Sequence, residues 1–120
     1  MNVLAESEHY IIYSEYEIVI MKIKKSRKKV QIGDFYGNPQ MAVVSEDEKF
    51  CAMCGCGVII YFFREPFQEY EYHTRTKQWK EWGRNNEKAD VWVESIRCID
   101  TETIEVIAEN GNVSKLNVYD

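Results

Sequence analysis

Apolar residues in this chain fall into short runs of β-branched and aromatic character separated by turn formers, a pattern that predicts strands. Tyr10 to Ile23 is rich in Ile, Val and Tyr. It gives way to Lys24-Lys25-Ser26-Arg27-Lys28-Lys29, and an apolar alternation resumes at Val30-Gln31-Ile32. This predicts a hairpin with a basic tip. Gly33 to Pro39 collects turn formers and two aromatics, and a second hairpin follows, with Met41 to Ser45 and Phe50 to Met53 flanking the polar Glu46-Asp47-Glu48-Lys49. Val58 to Phe63 shows no polar alternation at all. Such a run fits a strand covered on both faces, so it belongs in the middle of the sheet. Trp92 to Ile99 and Thr103 to Ala108 return to strand composition about the turn Asp100-Thr101-Glu102, and Ser114 to Tyr119 follows as a further strand.

Two local features refine this picture. Between Arg75 and Gly83 there is no β-branched run and the segment ends in glycine, as a short helix with a C-terminal cap would. Asn110-Gly111 invites a two-residue hairpin turn, but that turn would set Val106 opposite Lys115. A three-residue loop, Asn110-Gly111-Asn112, sets Val106 opposite Leu116 and Ile104 opposite Val118, and a one-residue slip would move every side chain to the wrong face. The expected fold is therefore mainly β: an antiparallel sheet arranged as a sandwich or partly open barrel of seven to eight strands with one short helix, an α+β arrangement being the alternative.

Length and composition narrow the functional classes. At 120 residues the chain is expected to form a single domain over 1–120. Two prolines and six glycines leave no linker. Fifteen Lys and Arg against twenty Asp and Glu give −5 at pH 7, and a pI near 5.1 argues against a dedicated nucleic-acid binder. Met1 to His9 lacks the apolar segment of a secretory signal, and a membrane-spanning helix needs roughly 20 apolar residues. A cytoplasmic protein without membrane contact is expected.

Four groups of residues are candidates for chemistry. Cys51-x-x-Cys54-x-Cys56 offers three thiols, with Cys98, His9 or His73 as a fourth zinc ligand. The second ligand pair of a structural zinc site is missing, so buried thiols leading into the strand at Val58 are the plainer reading, and no metal or cofactor is assigned. No catalytic signature surrounds either histidine, and no phosphate loop is formed by Gly33, Gly37, Gly55 and Gly57. The basic run from Lys22 to Lys29 is either an RNA footprint or a solvated tip guarding a sheet edge. Glu46 to Thr74, by contrast, carries six acids among Phe and Tyr residues. Acids with aromatics suit recognition of a basic protein, or else cover an aromatic core edge.

The run Gly33-Asp34-Phe35-Tyr36-Gly37-Asn38-Pro39, with Ala42-Val43-Val44-Ser45, Phe50-Cys51, Gly55-Cys56-Gly57-Val58-Ile59-Ile60-Tyr61, Pro66-Phe67, Tyr70, Gln78-Trp79 and Trp92, resembles small bacterial immunity proteins. These are the antidotes encoded beside contact-dependent growth inhibition and related polymorphic toxins. The resemblance implies a non-enzymatic cytoplasmic protein that binds one cognate toxin C-terminal domain, many of which are basic nucleases, and blocks its active site or its access to substrate. No direct contact with nucleic acid is then expected, and no catalytic residue is carried over. Under that reading the acid and aromatic density points to Glu46, Asp47, Glu48, Glu65, Glu69, Tyr70, Glu71 and Tyr72 as contacts, with Trp79 and Trp82 as apolar anchors. The basic tip departs from a uniformly acidic inhibitor.

Overall fold

In the computed structural model, which describes residues 2–84 and 90–120, all the regular structure is strand: the described residues make eleven β-strands and no helix. The first sheet is a meander of β1 (Asn2–Glu6), β2 (Tyr10–Glu15), β3 (Ile18–Ile23) and β4 (Lys29–Asp34). The second joins β5 (Met41–Val44), β6 (Phe50–Gly55), β7 (Gly57–Phe62) and β8 (Trp79–Trp82). The third orders β9 (Val93–Cys98), β10 (Thr103–Ala108) and β11 (Val113–Asn117) as β11-β10-β9. Every pairing is antiparallel.

Side-chain alternation on β6 and β7 explains the stacking. Both strands are buried along their whole length, which a sheet with one wet face does not allow. Cys51, Met53, Ile59 and Tyr61 point to one side and meet Ile12, Val19, Met21, Val30 and Ile32 of the first sheet. Phe50, Ala52, Cys54, Val58, Ile60 and Phe62 point to the other and meet Val93, Ile96, Ile104, Val106 and Val118. The second sheet is thus the middle of three layers. The expected antiparallel β class and the central position of Val58 onward are found, whereas the sandwich or partly open barrel of seven to eight strands with one short helix, and the α+β alternative, give way to eleven strands in three sheets.

Three further differences have physical causes. The run Tyr10 to Ile23 is two strands, because the chain reverses at Tyr16 and Glu17, with Tyr16 in the left-handed region at φ 56°. Asn2–Glu6, where Val3, Leu4 and Ala5 make only a short apolar run, becomes a strand by pairing with β2. The helix expected between Arg75 and Gly83 is instead β8, where Trp79 pairs with Tyr61 and Trp82 with Val58. Without β8 the edge of buried β7 would leave backbone N–H and C=O groups unpaired, a larger penalty than the modest β-propensity of Lys-Glu. Gly83, at φ 70°, turns the chain off the strand end.

Both expected hairpins form, β3–β4 with the basic tip and β5–β6 with the acidic one. The β10–β11 loop has the expected odd length but lies one residue earlier. Glu109-Asn110-Gly111 makes the turn, so Val106 faces Ser114 and Ile104 faces Leu116. The third loop residue must be left-handed, and Gly111 at φ 87° fills that position more readily than Asn112 would. The shift of two in register keeps the same faces inward. Among the described residues no helix is long and apolar enough to cross a membrane.

Candidate functional site

The β2–β3 turn, the loop after β4 and the end of β8 converge at one end of the molecule around a cleft of about 240 Å³. Glu17 fixes two of these pieces together: its carbonyl accepts from Phe35 N at 2.8 Å and its Oε2 from Gly37 N at 3.0 Å. This holds Phe35 inward and leaves Tyr36 outside, 86% exposed. Tyr72 stands on the opposite lip at 49% exposure, and Tyr16, next to Glu17, is 92% exposed. A non-glycine residue at positive φ carries strain of order 1–3 kcal/mol, and such outliers cluster where function demands them.

Arg84 forms the floor. Its Nη1 donates to Cys56 O at 2.7 Å and its Nη2 to Asp34 O at 2.8 Å, while the guanidinium lies 4.8 Å from the Phe35 ring centre and 5.8 Å from that of Tyr72. Its Nε is 2.8 Å from Glu81 Oε1, an ion pair in which the N–H is not aimed at the oxygen. The same Glu81 oxygen accepts from Tyr70 Oη at 2.6 Å. Burial, and then this bond to an anion, push the Tyr70 hydroxyl well above the usual tyrosine range. Beside the floor, Cys56 Sγ donates to Asp90 Oδ2 at 3.1 Å, and burial followed by that carboxylate raises the thiol pKa. Glu17, Asp34 and Asp90 thus line the mouth against one guanidinium already met by Glu81. The arrangement is an acidic mouth rimmed by tyrosines, suited to receiving positive charge.

The residues expected from sequence to act as contacts do not share one face. Tyr72 lines the cleft, and Glu71 next to it is exposed and accepts from Thr74 Oγ1 at 3.5 Å. Tyr70 and Trp79 are buried, 3% and 4% exposed, with Trp79 packed between the rings of Tyr61 and Tyr70; they support the cleft from behind and offer a partner no surface. Trp82 is half-buried against the second core. Glu69 is exposed but its Oε2 accepts from Gln31 N at 2.9 Å, which caps the edge of β4. Glu65 stands beside the basic tip. Glu46, Asp47 and Glu48 occupy the β5–β6 turn, at the other end of β6 from Cys56. Tyr16, Glu17, Asp34, Tyr36, Arg84 and Asp90 are not among the contacts expected from sequence. The one available signal was the polar break Ser14-Glu15 before Tyr16.

The thiols do not assemble either. Cys51 faces the first core and Cys54 the second, so one ion cannot reach both, and burial lifts the Cys54 thiol to about 12. The described residues do bring together Glu8, His9 and Glu48, with donor atoms within 4.8 Å of one another. There His9 Nδ1 already bonds Glu48 Oε1 at 2.6 Å, and Ser7 Oγ and His9 N donate to Oε2 at 2.5 and 3.0 Å.

That pairing has a pH signature. Partial burial works to raise the Glu48 pKa, but the donors from Ser7 and His9 outweigh it and hold the carboxyl at about 2, against an ordinary 4.5. The bond to Glu48 raises His9 above 6.5. The Glu48 contribution is complete above pH 4.5 and lost as pH falls toward 2. The His9 contribution is complete below pH 6.5 and lost as pH rises through its elevated value. The clasp between the β1–β2 and β5–β6 turns is therefore fullest between those limits. Melting temperatures measured across pH should show His9→Gln losing ground most in that window and converging with the parent above it.

No protein-family model, curated protein or solved structure matches this chain.

Proposed function

We propose that this chain is an immunity protein, which binds a cognate bacterial toxin domain of the contact-dependent growth inhibition kind and holds it inactive by covering its active site or its access to substrate. The observation that carries the reading is the acidic cleft with Tyr36 and Tyr72 on its lips and Tyr16 beside it. Exposed tyrosines supply rigid contact area at low entropic cost, and none of these three rings is used by either core. Three carboxylates among them favour a basic partner such as a nuclease domain, raising its association rate and rejecting acidic competitors. On this reading the protein acts in the cytoplasm, catalyses no reaction, needs no cofactor and touches neither nucleic acid nor membrane itself.

The test begins with the reading frame immediately upstream. Its C-terminal domain, expressed alone, should arrest growth, and co-expression with this chain should restore it. In the purified pair, Asp34→Lys combined with Tyr36→Ala should weaken binding about a hundredfold, near 2.7 kcal/mol, with the melting temperature little changed. A domain that stays equally toxic in the presence of this chain would overturn the proposal.

A further inference from the structure

At the opposite end of β3 from Tyr16, the basic tip forms one wall of a groove of about 860 Å³. Lys25, Lys28 and Lys29 rise along this wall, and Ile23, Val30, Pro66 and Phe67 supply its apolar lining. Lys24 is committed elsewhere, its Nζ donating to Ser7 O at 2.7 Å and lying 2.7 Å from a Glu6 oxygen. Lys25, Lys28 and Lys29 make no ion pair with any described residue. The nearby carboxylate is Glu65, on the facing wall. Three ammonium groups without an ion-pair partner among the described residues, around an apolar lining in which Val30 is buried and Ile23 and Phe67 half-buried, in a chain whose net charge is −5, are more than a sheet edge needs to deter pairing.

We propose that this groove binds an acidic peptide segment carrying a bulky apolar side chain, the carboxylates meeting the three lysines and the apolar group entering between Val30 and Phe67. Two features favour a peptide over the other anionic partners. Single-stranded nucleic acid is held by exposed rings on which bases stack, but the one ring here, Phe67, is half-buried and set edge-on to Tyr10 at 6.5 Å. A bilayer would need the apolar atoms to protrude, and of this lining only Pro66 is exposed, while Ile23 and Phe67 are half-buried and Val30 is 8% exposed. The site is separate from the tyrosine-rimmed cleft, and its existence does not depend on the toxin reading.

The experiment uses the full chain and a fluorescein-labelled octapeptide of six glutamates with two central leucines. Fluorescence anisotropy should give saturable binding with a Kd on the order of 10–100 µM, weakening with added salt. Lys25→Glu/Lys28→Glu/Lys29→Glu, all at exposed positions, should weaken it at least about tenfold, close to 1.4 kcal/mol. A control peptide with serines in place of the leucines should lose a similar factor. Asp34→Lys at the other end should leave binding unchanged, which keeps this result distinct from that of the toxin experiment. The inference is overturned by any of four results: no saturation, indifference to the triple reversal, equal binding of the serine peptide, or tighter binding of oligouridine or phosphatidylserine vesicles than of the peptide.

Discussion

Replacing Gly57 by alanine is expected to cost about 3 kcal/mol or more of folding stability, as the sum of two penalties. Gly57 sits at φ 80°, where an L side chain costs roughly 1–2 kcal/mol on backbone grounds alone. A Cβ there would also lie 2.0 Å from Arg84 Cγ and 2.9 Å from the Trp82 carbonyl oxygen. The arginine can yield, but only by giving up its bonds to Cys56 O and Asp34 O, which are what hold the cleft floor. The carbonyl belongs to β8 and cannot yield. Urea denaturation should show the loss. Adding Arg84→Ala to Gly57→Ala should recover only the side-chain part, leaving a deficit from the carbonyl contact and the positive φ; full recovery would mean that β7 does not turn as described.

Ile59→Ala and Ile60→Ala, although adjacent, should each cost about 2–5 kcal/mol, the range for deleting a well-packed isoleucine. Ile59 is 0% and Ile60 1% exposed, the first among the residues of sheet one and the second among those of sheet three. In a two-layer sandwich one of two neighbours on a strand faces water, and its truncation is nearly neutral. Equal and large effects in denaturant melts would confirm a strand with no wet side, while a near-neutral result at either position would remove one of the three layers. Since the two side chains enter different cores and share no partner cluster, the double variant should lose close to the sum.

The same alternation shows what a sequence can and cannot disclose. Val58 to Phe63 is legible as a covered central strand because six consecutive apolar residues leave no side for water. Its partner β6 is legible as a strand with buried thiols, but the entry of Cys51 and Cys54 into opposite cores is not. The strand β8 is illegible, since Trp-Lys-Glu-Trp carries no β-branched residue and its conformation is imposed by the open edge of β7. The cleft is harder still. Glu17, Asp34, Tyr72, Arg84 and Asp90 come from separate segments, spanning more than half the chain, and only the packing of the turns brings them together. Tyr16 offered only the polar break Ser14-Glu15 before it, since nothing in a tyrosine itself announces a left-handed turn residue. Of the acids expected as contacts, Glu48 spends its oxygens on Ser7 and His9 of a neighbouring turn, and Glu69 accepts from the backbone of β4.

A sheet enclosed on both sides leaves almost no position on β6 or β7 where a substitution is free. The turns at the two ends of the first sheet are different: Tyr16, Tyr36 and the lysines of the β3–β4 tip contribute nothing to either interior. On the proposed reading, foldability and partner choice reside in separate parts of the same polypeptide. Exchanging those turns for others of the same length should then alter the partner while the buried lamina keeps its shape.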